Sequence, residues 1–367
     1  MTPGGIVTVA RQEFRLRIRA GRWRWLLSIW FAVLLLFTVL VRLALGGFSS
    51  ERVDDKGIVI YGGLMLFVLG LALLVVPALA AQSVNGDRER GTLATLQVTR
   101  LSAADICLGK FAAAWGTALV FFALTLPLVV YAITQRGVPV GRVVVVTLVL
   151  ALLLGTVCAI SLALSAVLAR TTTSGVLAYL AVFALTVGTL ILFGLVTAMT
   201  TEDYTVTAQT SCTATDGSTP VCESSTFHST RARTDRTWWL LAPNPFVVLA
   251  DAAPQLPPLT EAQQRQRSED ERRGIVHQDA RDIDPLGGLG RAVRGLRKPP
   301  DSVTGQGSAF GVVSSSPLAA TVVRDERKPV WPTGLAVDVV VAIGALWLTT
   351  RRLSTPSRKL PKGQRVA

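Results

Sequence analysis

The sequence predicts an all-α integral membrane protein with six transmembrane helices, an N-terminal interfacial helix and a large extracytoplasmic insertion between the fifth and sixth helices. Three observations carry that prediction. Half of the 367 residues are hydrophobic and the mean hydropathy is +0.47. These residues are gathered in long blocks, as in membrane spans, and are not spread as in a soluble core. Six blocks reach the roughly 20 residues that a helix needs to cross a hydrocarbon layer of about 30 Å. Finally, the net charge of +13 sits beside the blocks. Residues 200–330 are close to neutral, with 15 Lys/Arg against 16 Asp/Glu.

The first element, residues 1–24, is a basic segment with Arg11, Arg15, Arg17, Arg19, Arg22 and Arg24. Phe14, Ile18 and Trp25 share one helical stripe, with Arg11, Arg15 and Arg22 on a neighbouring face. This pattern predicts an amphipathic helix on the membrane, with Trp23 and Trp25 at headgroup depth. A disordered basic tail is the alternative. A cleavable signal peptide does not fit, because the polar lead is long and the next apolar block exceeds an h-region.

Six spans follow at 25–45, 58–81, 111–134, 143–168, 175–199 and 332–350. With the N-terminus inside, the inner segments hold 17 Lys/Arg, while the short outer loops hold only Arg52, Lys56, Arg136 and Arg142, with Arg42 at a span end. The positive-inside rule then places both termini in the cytoplasm, including the basic tail 351–367. Pro77 and Pro127 lie inside spans, where each removes a backbone donor. Gly62, Gly63 and Gly70, and Gly188 and Gly194, read as helix-packing positions. Asp338 is the one acid well inside a span. A lone acid there demands a partner or water, and Arg42, near the same end, is a candidate partner.

The polar run 85–110 lies between the second and third spans and is too long for a tight helical hairpin. Thr92 heads one helix start, with Leu93 and Leu96 on one side. Ser102 heads another, with Asp105 at capping-box spacing. Two short interfacial helices joined near 99–101 are expected. The same run, with Glu89, Arg90, Gly91, Thr92, Leu93 and Leu96, then Leu101-Ser102, then Ile106, Leu108, Gly109 and Lys110, resembles the segment after the second transmembrane helix of ABC-2-type transporter permeases. The family's usual Thr-Pro before Leu-Ser is here Thr99-Arg100, so the bend between the helices is open to change. The detailed resemblance covers about 35 residues from near Pro77, and the span spacing extends it loosely along the chain.

The resemblance implies a cytoplasmic coupling segment that touches a separate ABC ATPase. Its contacts would be Glu89, Arg90, Gly91, Thr92, Leu93, Leu96 and Lys110. It also implies an elbow helix at the N-terminus, a second permease subunit, identical or not, and export across the plasma membrane. ATP and Mg would be bound by the partner ATPase, with no cofactor on this chain. Membrane lipid is the remaining expected partner, and nucleic acid is not, since no soluble module carries a basic patch with interleaved aromatics.

The insertion, 200–330, opens with a Thr- and Ser-rich stretch. Cys212 and Cys222 there can close a small disulfide loop, which an outer compartment allows. The run 238–254 has paired tryptophans beside a Pro-broken apolar stretch, the signature of an interfacial or re-entrant segment. Its Asn244-Pro245-Phe246 element also resembles these permeases. Residues 255–328 are charged and rich in Gly and Pro, which predicts weakly ordered chain, with QQRQRSEDERR as a short solvated helix.

The sequence argues against an enzyme. A Walker A loop needs GxxxxGK[ST], and Gly109-Lys110 is followed by Phe111. The two histidines, His228 and His277, form no HExxH, and the four cysteines form no CxxC, so no metal site is expected. A permease subunit driven by a separate ATPase is the first reading. A membrane-anchored sensor or scaffold that uses 200–330 is the alternative.

Overall fold

The computed structural model describes residues 2–19, 21–47, 56–91, 101–135, 137–213, 221–253, 260–273, 283–297 and 329–354. Six helical stretches are long and apolar enough to cross a membrane. Helix α1 (Pro3–Arg19) precedes the first of them, α2 (Arg22–Gly47). Then come α3 (Lys56–Ala80), the short α4 (Asn85–Glu89), and α5 (Ala103–Ala123) with α6 (Leu126–Thr134). The fourth and fifth spans are α7 (Val140–Val167) and α8 (Thr171–Met199). The last is α12 (Trp331–Leu353).

The core lies where α3, α5 and α7 meet. Tyr61, Leu64, Met65, Val68 and Leu69 of α3 pack with Phe121 of α5 and with Leu150, Leu153 and Leu154 of α7. In lipid, association depends on close packing and on hydrogen bonds more than on apolarity. Trp115 illustrates both: its Nε1 donates to the Ala151 carbonyl at 2.9 Å, and its ring lies 3.4 Å from where a Cβ on Gly155 would stand. Helix α2 is peripheral and is seated by aromatic contacts, Trp23 and Trp30 edge-on to Phe121 and Phe37 stacked on Phe67 at 4.2 Å. The windows of α2, α8 and α12 are mostly exposed, whereas those of α3 and α7 are more than half buried. Pro127 interrupts the third span. It has no N–H to continue the ladder, so the helix breaks at Leu124–Thr125, and the Thr125 hydroxyl donates to the Phe122 carbonyl at 2.6 Å.

Several expectations change. Ser102 does form a capping box with Asp105, but the helix it starts is not a separate interfacial piece. It runs unbroken into the third span, because Ala103–Ala123 contains no proline. Thr92, Leu93 and Leu96 lie outside the described residues. Helix α1 packs on α5 through Val9, Glu13 and Arg17, and Ile18 of its expected apolar stripe, with Trp25 of α2, is turned away from the bundle and exposed. Gly62 is a close-packing position, but Gly194 has nothing within 4 Å of a built Cβ.

The chain is not purely helical. Residues expected to be loop form an antiparallel hairpin, β1 (Thr201–Thr213) with β2 (Val221–Ala232). The β-branched Thr and Val content favours strand once the flanking helix has ended. The register sets Cys212 opposite Cys222. Their side chains lie outside the described residues, so the expected disulfide stays an expectation.

The rest of the insertion returns to the bundle through α9 (Pro245–Ala252) and α11 (Pro285–Gly295), while α10 (Glu261–Arg272) is an exposed charged helix. Asn244 caps α9 by accepting from Phe246 N. Its Nδ2 donates to the Thr186 carbonyl at 2.7 Å and to Thr189 Oγ1 at 2.8 Å. Thr186 lies in a π turn, Ala184–Gly188, that interrupts the regular ladder of α8. Asp251 closes the same end. Its carboxylate accepts from Val330 N and Trp331 N at 2.5 and 2.8 Å, holding the first turn of α12, and from Arg294 Nε at 2.5 Å. Gly334 is indispensable beneath it, since a Cβ there would stand 2.0 Å from the Ala242 carbonyl oxygen.

Candidate coupling site

The segment leaving α3 and the start of α5 meet around one buried cation. Lys110 is wholly buried, and its Nζ donates to Glu13 Oε1 of α1, to Asp87 Oδ2 of α4 and to the Ser83 carbonyl at 3.0 Å. An ammonium has three protons to donate, and all three are used. The extra negative charge of two carboxylates is offset by Arg90, whose Nη2 lies 3.3 Å from Asp87 Oδ1. Burial of an ammonium is tolerated only with such saturation.

The same segment is fastened to the other spans. Val84 N and Asn85 N both donate to Ser165 Oγ of α7, each at 3.1 Å. Arg88 Nη1 donates to the Leu168 carbonyl at 3.2 Å. Ser174 of α8 donates to the Ala81 carbonyl at 2.8 Å. Glu89 Oε1 accepts from Thr171 N at 3.4 Å, at the start of α8. Helix α1 is fastened in parallel: Thr2 N donates to Asp105 Oδ1 and Arg17 Nη1 to Thr117 Oγ1, each at 3.0 Å. Gly109 admits α1, since a Cβ there would stand 2.6 Å from the Val9 Cβ. The arrangement links α1, α3, α5, α7 and α8 through residues 81–89 and Lys110.

The predicted residues separate into two groups. Glu89, Arg90 and Gly91 are exposed, at the end of α4. Gly91 has φ +70°, a left-handed conformation that glycine adopts at little cost and that ends the helix. Lys110 is not a surface contact but the buried centre. Asp338 is buried on α12, its carbonyl 3.5 Å from Thr156 Oγ1, and its Oδ2 has no hydrogen-bond partner. Arg42 is exposed on α2, and no ion pair joins it to Asp338 among the described residues. Sequence reasoning missed Glu13, Asp87 and Ser165. Glu13 did carry a signal, being the sole acid in the first 50 residues. An acid alone among arginines on an amphipathic helix has a reason to face inward.

Among the described residues, no group of His, Cys, Asp and Glu is placed to hold a metal ion. A sequence model for the ABC-2 family transporter protein matches residues 7–258, which take in residues 85–110 and the first five apolar helices. The chain belongs to the ABC-2 transporter family. No curated protein and no solved structure matches it. As an ABC-2 family member it is a multi-pass transmembrane component of an ABC transporter, of a kind that generally lacks its own ATPase site and works with an ABC ATPase.

Proposed function

We propose that this ABC-2 chain is the permease subunit of an exporter of the plasma membrane, driven through residues 85–110 by an ATPase encoded on a separate chain. The observation that carries the reading is Lys110, one buried cation that joins α4 to α1 and α5. The exposed Glu89 and Arg90, one turn from that cation, are the docking charges. Closure of two ATPases would push α4, and the saturated network would pass the push to the spans without slack. ATP and Mg would stay on the ATPase. A second permease subunit, identical or not, would complete the path, and lipid would surround it. The basic flanks support cytoplasmic termini and a cytoplasmic coupling segment.

The test is charge reversal, Glu89→Arg with Arg90→Glu, scored by co-purification of the ATPase and by permease-stimulated ATP hydrolysis. Loss of both with unchanged permease folding is expected. Unchanged association and unchanged stimulation would reject the coupling role, and reporter fusions that place residue 90 outside the cell would reject the orientation.

A further inference from the structure

At the opposite end of the bundle a second buried ion pair is built quite differently. Arg142, near the start of α7, donates from Nη2 to Asp284 Oδ2 at 2.7 Å, and each side chain is 1% exposed. Asp284 is the N-cap of α11, yet its carboxylate makes no cap bond to its own helix. It is turned instead onto the spans and held between two glycines. A Cβ on Gly62 of α3 would stand 2.8 Å from Oδ1, and one on Gly287 would stand 2.3 Å from Oδ2. Tyr61, the neighbour of Gly62 on α3, is fully buried.

This cluster is unsaturated. Among the described residues, Nε and Nη1 of Arg142, the Tyr61 hydroxyl and Asp284 Oδ1 all lack a hydrogen-bond partner. Burying a polar group without a partner is unfavourable, because its hydration is lost and not replaced. The unpartnered donors outnumber the one unpartnered carboxylate oxygen. A guanidinium with unpartnered N–H groups and a phenol are donors of the kind that recognise carboxylate or phosphate oxygens.

We propose that Tyr61, Arg142 and Asp284 form a binding site for an oxyanion, a carboxylate or phosphate group. Arg142 would take the incoming oxygens on Nε and Nη1, and Tyr61 would donate to them. Asp284 occupies part of the seat as a built-in counter-ion, which weakens binding and aids release. The assignment stands apart from the coupling reading, because it needs no ATPase.

The test uses the full chain in digalactosyl-lipid nanodiscs, whose headgroups carry no phosphate, with acetate and inorganic phosphate as probes and acetamide as the neutral control. Thermal unfolding is expected to rise saturably with either anion and not with acetamide. Tyr61→Phe should weaken the apparent affinity about fivefold, the worth of one hydrogen bond. Asp284→Asn keeps the shape, removes the competing charge, and should tighten binding about tenfold. Arg142→Gln should abolish it. Discs of phosphatidylglycerol separate the two sources of phosphate. A lipid headgroup in the site would stabilise the wild type through Arg142 and leave no further response to free phosphate; a soluble oxyanion would leave that response intact. Two results overturn the proposal: no saturable shift in either lipid for wild type and Asp284→Asn, which leaves water alone in the cluster, or a shift that survives Arg142→Gln. Should Arg142→Gln fail to fold, unchanged affinity in both other variants overturns it equally.

Discussion

The two ends of the bundle each bury a cation, and they treat it in opposite ways. Lys110 spends all its protons on two carboxylates and a carbonyl, while Arg142 has a single ion-pair partner and leaves Nε and Nη1 without acceptors. A saturated cluster holds its segments as one body, since any displacement strands a buried charge. An unsaturated one keeps capacity for another group. One end therefore ties its segments together and the other keeps unpartnered donors among the described residues, although both look alike as buried ion pairs.

The largest effect is expected at the saturated end. Lys110→Met leaves Glu13 and Asp87 facing each other without their cation, and the loss should be about 3–5 kcal/mol, read from unfolding in detergent. A loss under about 1 kcal/mol, the range of an exposed ion pair, would remove the distinction between the ends. Next comes the paired replacement Arg142→Met with Asp284→Leu. Because it removes orphaned polar atoms together with the pair, stability should be unchanged or raised by about 1 kcal/mol, while Asp284→Ala alone should cost about 3 kcal/mol. A double variant as unstable as the single one would mean that the Arg142 cluster is saturated after all.

Smaller effects sharpen the contrast. Gly109→Ala drives a methyl into Val9 and Gly287→Ala drives one into Asp284. Each should cost about 1–3 kcal/mol by overpacking. Only Gly109→Ala should raise protease sensitivity in α1, and only Gly287→Ala should do so in α11; a common pattern would indicate general loosening. The smallest effect concerns the base of the hairpin, outside both clusters. A hydrogen bond from Arg233 holds the Asp235 carboxyl below its usual value, against the opposing effect of burial. Its folded pKa is depressed, so its stabilisation is present above the unfolded carboxylate value and is lost as pH falls through the folded one. Acidification below about pH 4, the ordinary Asp range, should open the hairpin base before the spans unfold. Asp235→Asn should remove that step, followed by hydrogen exchange at 200–203 and 232–235.

Much of the fold was legible because its causes are local. Six apolar blocks predicted six spans to within a few residues at most ends, and Ser102 with Asp105 announced a helix start that the structure contains. The candidate site was legible in part. The Glu89-Arg90-Gly91 run was found from its resemblance, and Lys110 was found in the wrong role, as a contact and not as a centre. The insertion was misread where strand formation depended on pairing: the Thr-rich residues 201–213 acquire their structure only from 221–232.

By itself the sequence determined which stretches are long and apolar enough to cross a membrane, where the charges flank them, and the family, all properties of short windows or of their order. The tertiary structure alone decided which charges meet. Glu13 reaches Lys110 across 97 positions and Arg142 reaches Asp284 across 142. Nothing in either neighbourhood specifies the other, because a charge selects its partner by the burial and geometry that packing creates, and packing is settled only when all the helices are in place.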